Sequence, residues 1–214
     1  MEPAPPPHGA GEGPALCPGL LRDLFPHAVG RTRRSAQPND LRTITKPYDR
    51  RTTVSHVLRP GDAFPAITVA VPGGGQISLP DTLHGSFGVV LFYRGSWCPY
   101  CNGQLRAFQR ARETFEQLGV KVVALSVDDE ATTQALIDKL KLTYPVGHSA
   151  DAKSIAAATG AFVNDDPEHL QSTGFVLDPE GGVIVAVYSN GAIGRLVPED
   201  VAGLIRYVKE HAAQ

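Results

Sequence analysis

Residues 97–101 read Trp-Cys-Pro-Tyr-Cys, and they hold two of only three cysteines in a chain of 214 residues. A Cys-x-x-Cys pair does one of three things: it cycles between dithiol and disulfide, it supplies half of a metal site, or it packs inertly. A structural zinc site needs four ligands, and no second cysteine pair exists. His84, His148 and His169 are available, but no spacing singles them out. A metal-binding or carrier module is therefore the reading from another class. Inert packing fits poorly beside an arginine, a tryptophan and a helix start. Redox chemistry is the reading the spacing favours.

The elements around the pair support that chemistry. The apolar run Val89–Tyr93 is rich in β-formers and predicts a buried strand ending just before the motif. After it, Leu105, Phe108, Ala111, Phe115 and Leu118 recur at helical spacing, with Gly119 as the stop. Cys98 is then the N-cap and Pro99 the first helical residue, where its missing N–H costs nothing. Unpaired N–H groups and the positive end of the helix dipole face Cys98 and favour thiolate, the nucleophilic form. Cys101, one turn on, is close enough to close a tight disulfide. Arg94 is read as a fixed positive charge beside the thiolate, or as an ordinary surface arginine. Trp97 is expected to pack and to cover the dithiol.

Further along, residues 120–127 predict another buried strand, and Asp129 caps a helix running to about Leu140. A short strand in Tyr-Pro-Val-Gly-His and a short helix ended by Gly160 follow. Residues 173–178 and 183–188 predict a hairpin, and Pro198 opens a last amphipathic helix. Upstream, 63–71 and 76–79 predict a hairpin turning through Pro72–Gly75. Neither Gly-Lys-Ser/Thr nor a helix follows those glycines, which excludes a phosphate loop. The β-α-β stretches require parallel pairing and the late hairpin antiparallel pairing, so the expected fold is α/β: a mixed central sheet with helices on both faces and an N-terminal β-hairpin extension.

Residues 1–56 are Pro-, Gly- and Arg-rich and carry eight Lys and Arg against five Asp and Glu. They are expected to form a disordered tail, with 57–214 as the folded domain. Cys17 lies in the tail as an incidental thiol. The whole chain has a net charge of −2, so nothing global points to nucleic acid. The longest strongly apolar run is too short to span a membrane, and no secretory signal is read at the N-terminus. Three cysteines without a framework point to a reducing compartment, the cytoplasm.

The stretch "LRPGDAFPAITV…GVVLFYRGSWCPYCNGQL…VKVVALSVDD…FVLDPEG" resembles the alkyl hydroperoxide reductase/thiol-specific antioxidant group, the peroxiredoxin-like redoxins of the thioredoxin superfamily. The likeness covers about Val57 to His211. It implies a thioredoxin-like fold and a thiol-dependent antioxidant oxidoreductase that reduces hydroperoxides without a cofactor or metal. The family's Pro-x-x-x-Thr/Ser-x-x-Cys places Cys101 as the attacking cysteine, Cys98 at the Thr/Ser position and Arg94 at the proline position. Gln104 falls where the family often has Glu or Gln. The family's arginine before the late strand is replaced by Gln171-Ser172-Thr173, and Arg94 is the expected substitute for the lost charge. Helix-end electrostatics makes Cys98 the nucleophile; the resemblance makes it Cys101. Both end in a Cys98–Cys101 disulfide, reopened by thioredoxin, glutaredoxin or glutathione. A general thiol–disulfide oxidoreductase is the alternative function. A second copy of the chain is an expected partner.

Overall fold

In a computed structural model, residues 57–212 are described. The expected tail, with Cys17, lies outside the described residues. The N-terminal hairpin pairs β1 (Ile67–Ala70) with β2 (Gln76–Leu79), antiparallel, Ile67 facing Leu79. Alternate residues of β1 are buried, as a strand with one solvated face requires.

The central sheet has five strands. These are β3 (Phe87–Phe92), β4 (Val120–Leu125), β5 (Val146–Gly147), β8 (Thr173–Leu177) and β9 (Val183–Tyr188), in the order β5-β4-β3-β8-β9. β3, β4 and β5 run parallel; β8 and β9 are antiparallel to their neighbours. β3 is the middle strand, covered on both faces, and Val89 through Tyr93 are fully buried. This explains its unbroken apolar sequence. A small hairpin, β6 (Val163–Asp165) with β7 (Glu168–Leu170), leads into β8 and was not read from the sequence.

Two apolar layers flank the sheet. One contains Val89, Leu91, Tyr93, Leu105, Phe108, Phe115 and Ile205 with both motif cysteines. The other holds Phe64, Ile77, Val90, Phe92, Phe175 and Leu177 and seats the N-terminal hairpin. The helix after the motif is two segments, α1 (Pro99–Arg110) and α2 (Arg112–Leu118), not one. The chain bends at Ala111, where ψ is 5°. Phe108 and Phe115 stack across the bend with centroids 5.6 Å apart. Gly119 ends α2 with φ +66°, a conformation that favours glycine. α3 (Glu130–Leu140) is capped by Asp129, whose carboxylate accepts from the Thr132 N–H at 2.7 Å. α4 (Ala152–Thr159) ends at Gly160, and α5 is Pro198–Ala212. No helix among the described residues is long and apolar enough to cross a membrane.

Candidate active site

β3 delivers the chain to the motif, and α1 begins within it. Cys98 takes the N-cap position with extended backbone (φ −85°, ψ 114°), and Pro99 is the first residue of α1. Both cysteines are free thiols and buried, Cys98 at 1% and Cys101 at 0% exposure. Exposure thus does not distinguish the pair.

Charge does distinguish them. Burial pushes the Cys98 thiol up. The Cys101 N–H and thiol, together with Arg195 and Arg94, outweigh it and hold Cys98 below its ordinary range. For Cys101 burial wins: its thiol is pushed up despite Arg195 and the Arg94 N–H. When one of the pair ionises, this poise favours a Cys98 thiolate that accepts a hydrogen bond from the Cys101 thiol.

Two guanidiniums converge on the sulfurs. Arg94 Nη1 lies 3.9 Å from Cys98 Sγ, and the Arg94 backbone N–H donates to Cys101 Sγ at 3.3 Å. Arg195 Nη2 lies 3.3 Å from Cys101 Sγ and 3.9 Å from Cys98 Sγ. Arg195 was not expected from the sequence. Arg94 stands where it was expected to replace the arginine missing at 171–173, and a second charge, Arg195, arrives from the loop between β9 and α5. The only local signal was one arginine closing a glycine-rich turn before a helix-opening proline, a pattern with no periodicity.

That loop is braced. Arg195 Nε and Nη2 donate to the Ala192 carbonyl at 3.1 and 3.0 Å. Arg195 Nη1 donates to Gln104 Oε1 at 2.9 Å, and Gln104 Nε2 donates to the Leu196 carbonyl at 2.9 Å. Buried Gln104 on α1 thus holds both the Arg195 side chain and the backbone of the next residue, Leu196. Ser189 Oγ donates to the Ile193 carbonyl at the loop's other end.

The remaining expected residues are placed as follows. Trp97 is not a core residue; it is 55% exposed, its ring edge-on to His169 at 5.2 Å and under the Arg94 guanidinium at 4.8 Å. It positions Arg94 by a cation–π contact. Thr173 is buried on β8 opposite Phe92, and its hydroxyl donates to the Gln171 carbonyl at 3.3 Å. It is not brought to the sulfurs by any hydrogen bond. Tyr93 is buried beside the pair with its pKa pushed up to about 12, chiefly by burial, so its phenol stays neutral. Two cationic guanidiniums around two sulfurs oppose a metal cation and favour an anionic sulfur. Among the described residues, no group of three or more His, Cys, Asp or Glu is placed to hold a metal.

The family model described as AhpC/TSA family matches residues 60–186. The chain belongs to the AhpC/TSA family. A peroxiredoxin of Treponema denticola is 32% identical over 155 residues, covering 70% of this chain and 71% of the relative. A peroxiredoxin of Chlorobaculum tepidum is 29% identical over 155 residues, covering 70% of each chain. Among solved structures, the peroxiredoxin 6 of Arenicola marina aligns with a TM-score of 0.64 at 20% identity, over 72% of this chain and 75% of that one. Mycobacterium tuberculosis AhpC aligns with a TM-score of 0.61 at 21% identity, over 72% and 94%. The fold is the thioredoxin-like fold of these proteins. Membership makes this AhpC/TSA protein a thiol-dependent peroxidase with antioxidant function, acting on a peroxide with a thiol as reductant.

Proposed function

We propose that Cys98 and Cys101 are the redox couple of this AhpC/TSA protein, with Cys98 attacking and Cys101 resolving. The observation that carries this reading is the opposite poise of the two thiols, Cys98 held down and Cys101 pushed up. The Cys98 thiolate attacks the terminal oxygen of a hydroperoxide, the O–O bond breaks, and an alcohol or water leaves. Cys98 becomes a sulfenate, which takes a proton from solvent to give the sulfenic acid. Cys101 sulfur then displaces its hydroxyl as water, closing a Cys98–Cys101 disulfide. A dithiol or two thiols from thioredoxin, glutaredoxin or glutathione reopen it. Arg195 and Arg94 act by charge: they favour thiolate before attack and stabilise the oxyanion that departs. Gln104 positions Arg195, and Trp97 positions Arg94.

A second reading has its own support. Cys101 Sγ has the two closer donors, both at 3.3 Å, and it occupies the family's attacking position. Changing each cysteine to serine separates the two. After one equivalent of peroxide, Cys101→Ser is expected to hold a stable sulfenic acid on Cys98, trapped by a dimedone-type probe, while Cys98→Ser gives none. The reverse pattern makes Cys101 the attacker.

A further inference from the structure

Buried polar atoms are met by protein, water or ligand. Near the dithiol, Arg94 Nε, His169 Nε2 and Gln171 Oε1 are buried and have no protein partner. The chain brings them together. The antiparallel β3–β8 ladder ends with Phe92 opposite Thr173, so Arg94, two residues after Phe92, and Gln171, two residues before Thr173, leave the sheet at the same end. His169 lies on β7, two residues before Gln171. The Trp97 indole meets both the Arg94 guanidinium, at 4.8 Å, and the His169 ring, at 5.2 Å. Trp97 is exposed while His169 is 96% buried at 4% exposure, so the group lies one side chain beneath the surface.

The protonation of His169 is fixed by its neighbour. Nδ1 lies 2.8 Å from the Pro167 carbonyl, which only accepts, so Nδ1 carries the proton and Nε2 keeps its lone pair. Burial holds the imidazole below its ordinary range; the Pro167 bond and Asp128 oppose this, and Arg94 reinforces it. The set therefore presents a donor, Arg94 Nε–H, against an acceptor, His169 Nε2. A ligand that satisfies both must accept and donate at once. A hydroxyl does this; a carboxylate, which only accepts, does not.

We propose that Arg94, His169 and Gln171 form the seat for the O–O–H end of the hydroperoxide, with His169 Nε2 accepting its hydroxyl proton and Arg94 Nε–H donating to its oxygen. The inference rests on the peroxidase reading of Cys98. Arg94 then serves twice, through Nη1 at the sulfur and through Nε at the substrate. As the Cys98 sulfur bonds to the terminal oxygen, the O–O electron pair passes to the departing oxygen. His169 takes the hydroxyl proton and returns it to that oxygen. Thiolate and hydroperoxide become sulfenate and alcohol, with sulfur losing two electrons, peroxide gaining two, and no net proton.

The test compares His169→Asn, which keeps a donor for Pro167 but loses the acceptor, with His169→Gln, which restores one farther out. Reduced proteins are mixed with tert-butyl hydroperoxide and, separately, with a dipyridyl disulfide, which carries no hydroxyl. For His169→Asn the peroxide rate falls about tenfold, the loss of one hydrogen bond at the transition state, while the disulfide rate stays within about twofold. His169→Gln recovers most of the peroxide rate. Equal losses with both oxidants, or no loss with either, overturn the proposal. In Cys98→Ser, which cannot turn over by the proposed route, tert-butyl hydroperoxide shifts the His169 imidazole resonance in a saturable manner. No shift overturns the seat whether or not the wild-type protein reacts. A wild-type protein no more reactive toward peroxide than a free thiol overturns the peroxidase reading instead.

Discussion

Arg195 is the residue through which charge reaches both sulfurs, and its loss has a defined sign. Cys98 is held below the ordinary thiol range, so its thiolate forms, and alkylation by iodoacetamide rises, at a pH below the roughly 8.5 of a free cysteine. Arg195→Met removes one of the charges that depress it, so the midpoint moves upward toward the free-thiol value. At neutral pH the peroxide rate falls by about 100-fold, as when a preorganised oxyanion donor is removed. Arg195→Lys rescues poorly, because an ammonium cannot bond the Ala192 carbonyl, Gln104 and sulfur with the planar fork that the guanidinium supplies. An unmoved midpoint in Arg195→Met contradicts this assignment. At this scale the sequence was informative where chemistry sits in one stretch. Cys98, Pro99 and Cys101 announce themselves by type and spacing; Arg195 and His169 reach the site only through tertiary structure.

The elements most readable in the sequence were those with caps or a clear period. Asp129 and Gly119 mark helix ends by local hydrogen bonding and backbone freedom, which neighbouring residues suffice to specify. The β6–β7 hairpin was invisible because Val-Asn-Asp-Asp-Pro-Glu-His-Leu reads as a polar turn, with only Leu170 and His169 turned inward. The loop from Ser189 to Val197 has no period at all, yet it carries Arg195. Its seat is a close approach to β8: a Cβ at Gly174 would lie 2.7 Å from Leu196 Cδ1 and 2.9 Å from its Cγ. Gly174→Val therefore pushes Leu196 away and takes the neighbouring Arg195 with it. Overpacking at this site costs about 1–3 kcal/mol in denaturant melts, and the Cys98 midpoint rises as the guanidinium withdraws. If stability falls while the midpoint stays, the seat of Leu196 does not poise the thiol.

At the scale of the molecule, the strand order β5-β4-β3-β8-β9 puts the motif at the end of the central strand, where both apolar layers and two loops meet. The mixture of parallel and antiparallel pairing was legible from the alternation of strands and helices. The order of strands was not, since pairing partners are chosen by packing across long separations. The division at residue 57 is a separate expectation: a chain beginning there should fold, keep its cooperative melt and retain its peroxide rate, and loss of folding would move the boundary. The central claim is met most directly by a single-turnover reaction of the pre-reduced protein with hydrogen peroxide, followed through Trp97, the only tryptophan, with a parallel thiol count. The expected result is a fluorescence change far faster than oxidation of a free thiol, with two of the three thiols lost per chain. A rate no better than a free thiol, alongside ready oxidation by disulfides, would contradict the account and leave a thiol–disulfide oxidoreductase in its place.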